Sequence, residues 1–156
     1  MKKYLLIISF SIFTLYITVV MILYGVLPSI SDSYYHLPQG YKLIFSFALI
    51  GFALPLIIYT NKLLIFIAGG AIMFVAVTPD FHSEGVLHFV CAIIGIVSGV
   101  LYLITNKQYL ISTIAFIVGI ILYIFASNHI FWIEIVSFYT ILLGIIIINK
   151  LKLTNE

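Results

Sequence analysis

Six apolar runs, at about residues 5–27, 42–60, 63–78, 86–104, 109–127 and 130–149, take up most of this 156-residue chain. Each approaches the roughly 20 residues that carry a helix across about 30 Å of hydrocarbon at 1.5 Å per residue. Hydrophobic residues make up 64% of the chain, far above the roughly 45–50% of soluble domains. The expectation is an all-α polytopic membrane protein, a six-transmembrane-helix bundle forming one transmembrane domain over residues 1–156. No length is left over for a separate soluble domain.

The first run follows Lys2 and Lys3, as a secretory signal would, but continues past twenty residues with no A-x-A cleavage pattern. It is expected to stay as a helix. Cys91 is the single cysteine and falls inside the fourth run, which excludes a disulfide within the chain. The net charge of +2 comes from lysines spread over short loops, so nucleic acid is not an expected partner.

The lysines set the orientation. Lys2, Lys3, Lys62, Lys107, Lys150 and Lys152 fall on one side of a six-span threading and Lys42 on the other. The positive-inside bias makes the first side cytoplasmic, with N-in and C-in termini, in a cytoplasmic membrane. The Ile and Lys bias suggests an AT-rich bacterial genome. Asp32, His36, Asp80, His82, Glu84, His88, His129 and Glu134 fall on the opposite, outward side, which leaves Glu156 as the cytoplasmic acid.

Within that outward set, residues 78–92, TPDFHSEGVLHFVCA, gather Asp80, His82, Glu84 and His88 in a chain that is only 8% charged. The outward loop at about 28–41 is the longest, and Pro28, Pro38 and Gly40 prevent it from continuing either neighbouring helix. It is expected to fold over the bundle mouth. The short connections at 60–62 and 105–107 predict that the second and third runs, and the fourth and fifth, are antiparallel neighbours.

Helices in lipid associate through small residues that let backbones approach closely. The fourth run has Ala92, Gly95 and Gly99, and His88 stands four residues before Ala92 on the same face. His88 is therefore expected to point into the bundle. Similar stripes are Thr14, Thr18, Met21 and Gly25 in the first run, and Glu134, Ser137, Ile141 and Gly144 in the sixth. Ala68 to Ala71 thin the third. A carboxylate facing lipid costs about 2.5 kcal/mol or more at the bilayer centre, so Glu134 is expected to face inward, with His88 or His129 as its partner.

Two segments resemble a known family. LPSISDSYYHLPQ at 27–39, after a first span, and VLHFVCAIIGIVSGVLY at 86–102 are similar to the damage-regulated autophagy modulator (DRAM) family and its GPI-lipid-remodelling six-span relatives. The matching residues are Pro28, Ser31, Asp32, His88 and Ala92. The resemblance implies six spans and work on or among membrane lipids.

Four functions stay open. In the first, an extracytoplasmic site binds or remodels membrane lipids through Ser31, Asp32 and His88, with Asp80, His82, Glu84 and Glu134 around them. The second is a metal-dependent lipid hydrolase of the alkaline ceramidase type. Zinc would then sit on ligands drawn from Asp32, His36, His82 and His88, although no His-x-x-x-His pair occurs. A proton or ion pathway is the third, but the cytoplasmic halves of the runs offer only Ser, Thr and Tyr. The fourth is an accessory subunit without catalysis, docking a second copy or another membrane protein through His36, Tyr34 and Tyr35. The first reading needs no cofactor.

Overall fold

The fold comes from a computed structural model, which describes the backbone of residues 2–59 and 62–153. Side-chain surroundings are described for these residues except 2, 3, 59, 81–84 and 149–153. The elements are α1 (Lys2–Tyr24), α2 (Ser33–His36), a single 3-10 turn (Gln39–Tyr41), α3 (Leu43–Tyr59), α4 (Leu63–Val77), α5 (Phe81–Thr105), α6 (Tyr109–Phe125) and α7 (His129–Leu153). Among the described residues there is no strand.

Four segments are long and apolar enough to cross a membrane: Tyr4–Tyr24, Gln39–Ile58, Gly85–Thr105 and His129–Ile148. The third and fifth apolar runs form the shorter helices α4 and α6, about 22 and 26 Å long at 1.5 Å per residue.

Helix ends depart from the apolar runs where local chemistry intervenes. α1 stops at Tyr24, three residues short of the end of its run. There Gly25 turns to φ +75°, a conformation that favours glycine, and donates its amide to the Met21 carbonyl at 3.0 Å. Pro79 ends α4, because a residue before proline is pushed out of the helical region; Thr78 lies at φ −113°, ψ 58°. α5 then starts at Phe81, five residues before its apolar run, so His82 and Glu84 lie on its first turn rather than in a loop.

α1, α3, α4, α5 and α7 close a ring in which each packs on the next and α7 returns to α1. Its centre is aromatic: the rings of Phe13, Phe52 and Phe138, from α1, α3 and α7, lie 4.8 to 5.1 Å apart. Ser9 Oγ donates to the Phe52 carbonyl at 2.9 Å and ties α1 to α3. α6 stands outside the ring against α7 and α5, with no buried residue. The expected antiparallel pairing of α5 with α6 is thus loose, while that of α3 with α4 is close.

The small residues let helices touch inside the chain. A Cβ on Gly95 would meet Ile72 of α4 at 3.1 Å, and one on Gly99 would meet Ile141 of α7 at 2.3 Å. The GxxxG step of α5 therefore serves two different neighbours. Gly144 of α7 lies as closely against Leu103, and Gly69 of α4 against Ile57. Of the stripe expected on α1, Thr14 packs inward, bonded to the Tyr139 hydroxyl at 2.8 Å, whereas Thr18 is exposed.

Candidate functional site

The connections at 25–32, 78–80 and 126–128 meet at one end of the ring and are stitched together by hydrogen bonds. Phe131 donates its amide to the Pro28 carbonyl at 3.2 Å, and Asn128 Nδ2 donates to the Val26 carbonyl at 2.6 Å. Tyr35 donates its hydroxyl to Asp80 Oδ1 at 2.7 Å. The segment after α1 is held down by Leu27, Ile30, Ser31, Ser33 and Leu37, all buried. It closes the bundle mouth, as its prolines and length predict.

Within this segment the three serines have different partners. Ser29 Oγ donates to Asp32 Oδ2 at 2.8 Å and accepts the Asp32 amide at 3.1 Å, fixing the turn. Ser33 Oγ donates to the Ile30 carbonyl at 2.6 Å, so its contact with the Tyr16 hydroxyl is one in which Tyr16 donates. Ser31 reaches across to α5, where its Oγ lies 2.8 Å from His88 Nε2.

His88 is 2% exposed and is gripped from its other side by the Thr78 carbonyl, 2.7 Å from Nδ1. A carbonyl can only accept, so Nδ1 carries a hydrogen. In the neutral ring Nε2 is then bare, and Ser31 donates its hydroxyl hydrogen to it. The ring nitrogens are thus assigned by the partners that flank them.

Glu134 faces inward, as the cost of exposing a carboxylate to lipid requires. Its contact differs from the expected His88 or His129: Oε2 accepts the Ile30 amide at 2.7 Å. His129, five residues earlier, stacks edgewise on Tyr123 with ring centroids 4.8 Å apart. A backbone amide in an ordered loop carries no sequence signal, so this contact was not readable in advance.

Ser29, Ser31, Asp32, His88 and Glu134 line one pocket of about 140 Å³, walled by Pro28, Phe89, Ala92 and Ile130. Asp80 is not among its lining residues. It connects the α4–α5 turn to Tyr35. The side chains of His82 and Glu84 lie outside the described residues. His36 is exposed, with Nδ1 donating to the Asp32 carbonyl at 3.0 Å. Among the described residues no three of His, Cys, Asp and Glu converge as a metal-holding group.

Sequence reasoning missed Thr78 and Tyr16. Thr78 acts through its carbonyl, and the available signal was Pro79, which turns that carbonyl off the helix axis. Tyr16 falls inside the first apolar run, which carries no signal of its bond to Ser33. It also lines a groove of about 680 Å³ between α1 and α3, with Leu23, Leu37, Tyr41 and Phe47 among the walls. That size falls in the range of small-molecule sites.

Compared with known proteins, the chain matches no family model, no curated protein and no solved structure.

Proposed function

We propose that this chain is a six-span protein of the cytoplasmic membrane, with both ends in the cytosol, that binds or remodels membrane lipids at its extracytoplasmic end. The observation that carries the reading is the pocket of about 140 Å³, in which Ser29, Ser31, Asp32, His88 and Glu134 converge in a chain of only 8% charged residues. Polar groups at membrane depth are costly and mark functional sites by default.

The pocket's chemistry suits a lipid head group. Asp32 is half-buried and presents acceptor oxygens, Ser29 and Ser31 present hydroxyls, and the walls are hydrocarbon. The α1–α3 groove adds a place for an acyl chain. Tyr16 belongs to that groove, and its hydroxyl meets Ser33, two residues from Ser31. The resemblance of Pro28, Ser31, Asp32, His88 and Ala92 to the DRAM family points the same way. The lysine partition supports the orientation, since Lys62 and Lys107 lie at the opposite ends of their helices from the pocket.

The test is lipid co-purification. Asp32→Ala and Ser29→Ala remove pocket polarity from a partly exposed turn. Both variants are expected to assemble as the wild type and to lose bound lipid, measured by mass spectrometry of extracts. Lipid retained at the wild-type level in both would overturn the reading.

A further inference from the structure

We infer that Ser31 is a nucleophile toward carboxylic esters of membrane lipids, with His88 as its general base. This rests on the lipid reading of the same pocket and adds a reaction to it. Three features carry it. The Ser31 Oγ to His88 Nε2 distance of 2.8 Å is hydrogen-bond reach for proton transfer. The Thr78 carbonyl 2.7 Å from Nδ1 holds the neutral ring in the tautomer whose Nε2 accepts the Ser31 hydrogen, the role a third group plays in nucleophile–base–orienter arrangements. Finally, Ser31 and His88 both line the 140 Å³ pocket, which has room for several small-molecule heavy atoms, a water taking about 30 Å³.

The contrast with its neighbours is informative. Ser29 is committed to the Asp32 turn and Ser33 to the Ile30 carbonyl. Neither meets a base. A serine needed only to fix the loop has backbone acceptors nearby, as Ser33 has. Ser31 instead meets a bare ring nitrogen ten residues along the chain from the carbonyl that orients that ring.

The reaction balances in two steps. Ser31 Oγ bonds to the ester carbonyl carbon while its proton passes to His88 Nε2. The carbon–oxygen bond to the lipid alcohol then breaks, and the alcohol leaves with that proton. Water next attacks the acyl-serine, giving its proton to Nε2. The carboxylic acid departs, and the proton returns to Ser31 Oγ. No redox partner is needed. The positive charge that arises on the ring in each step lies in a pocket that also contains the Asp32 side chain.

The full chain, reconstituted in bilayers of dioleoylphosphatidylglycerol or its ether-linked analogue, is treated with an alkyl fluorophosphonate, and adducts are mapped by peptide mass spectrometry. The expected result is one adduct on Ser31, absent in Ser31→Ala and unchanged in Ser11→Ala, an exposed serine of α1 outside the pocket. In His88→Asn it forms about 100-fold more slowly or worse, the size of a positioned general base. Fatty acid release is expected from the ester bilayer and not from the ether one. Folded wild-type protein that forms no Ser31 adduct and releases no fatty acid overturns the inference. This outcome does not depend on any variant folding. If lipid still co-purifies in that case, lipid binding stands and catalysis falls. An adduct at Ser31 without bound lipid would uphold the nucleophile and sink the lipid reading.

Discussion

Glu134 Oε2 accepts the Ile30 amide at 2.7 Å, joining positions 104 residues apart. The contact pins the segment after α1 to α7. Glu134→Ala leaves that amide without its acceptor, and an orphaned buried donor costs about 1–3 kcal/mol. Glu134→Gln keeps a carbonyl oxygen at the same reach. The expected order of thermal stability in detergent is wild type, then Gln, then Ala. An Ala variant as stable as the wild type would show that the bond contributes nothing.

The seam on α5 yields a second prediction. A Cβ on Gly99 would come within 2.3 Å of Ile141 Cδ1 and 2.7 Å of Cγ1, whereas one on Gly119 of α6 would meet nothing within 4 Å. Gly99→Ala is expected to destabilise by about 1–3 kcal/mol through overpacking. Gly119→Ala is expected to be neutral or slightly stabilising, because alanine is about 1 kcal/mol the better helix former. Trimming the obstacle in Gly99→Ala/Ile141→Val should recover part of the loss. Unfolding curves of the three variants check the order, and equal effects at Gly99 and Gly119 would contradict the packing.

Sidedness can be read by chemistry. In a Cys91→Ser background, Gly40→Cys sits in the exposed turn beside the pocket end, and Lys62→Cys is exposed at the opposite end of the bundle. A Cβ at Gly40 meets nothing within 4 Å, so the substitution fits. A membrane-impermeant maleimide is expected to label Gly40→Cys in intact cells and Lys62→Cys only after permeabilisation. The reverse pattern would place the pocket in the cytosol.

The all-helical architecture was readable because hydrocarbon length in lipid dictates it. The inward face of α5 was readable too, because His88, Ala92, Gly95 and Gly99 recur at helical spacing. Ser31, Asp32, His88 and Glu134, singled out from the sequence, line one pocket, but how they are wired was not legible. Glu134 was expected to seek an imidazole and instead meets the Ile30 amide, and the Thr78 carbonyl that orients His88 belongs to the backbone. Side-chain type predicts which groups must be satisfied; it does not say which main-chain atoms a loop will deliver. Asp80, read with the same outward group, accepts the Tyr35 hydroxyl at 2.7 Å.

The last prediction concerns the buried link beneath the pocket. Tyr16 donates its hydroxyl to Ser33 Oγ, which donates onward to the Ile30 carbonyl at 2.6 Å, and Ser33 is fully buried. Removing the first member, in Tyr16→Phe, leaves Ser33 still bonded to Ile30. The expected cost is that of one hydrogen bond, about 0.5–1.5 kcal/mol. Removing the middle member, in Ser33→Ala, takes the acceptor from the Tyr16 hydroxyl, while the Ile30 carbonyl keeps the residue-33 amide at 3.1 Å. One desolvated group, the Tyr16 hydroxyl, is then unpaired at about 1–3 kcal/mol, and the Ser33 hydroxyl bond to Ile30 is lost as well. Ser33→Ala is therefore expected to be the less stable, and Ser33→Ala/Tyr16→Phe to be more stable than Ser33→Ala alone, since it removes the stranded hydroxyl. A double variant no more stable than Ser33→Ala would mean that the Tyr16 hydroxyl is not stranded, and that the link does not hold the loop in place beneath Ser31.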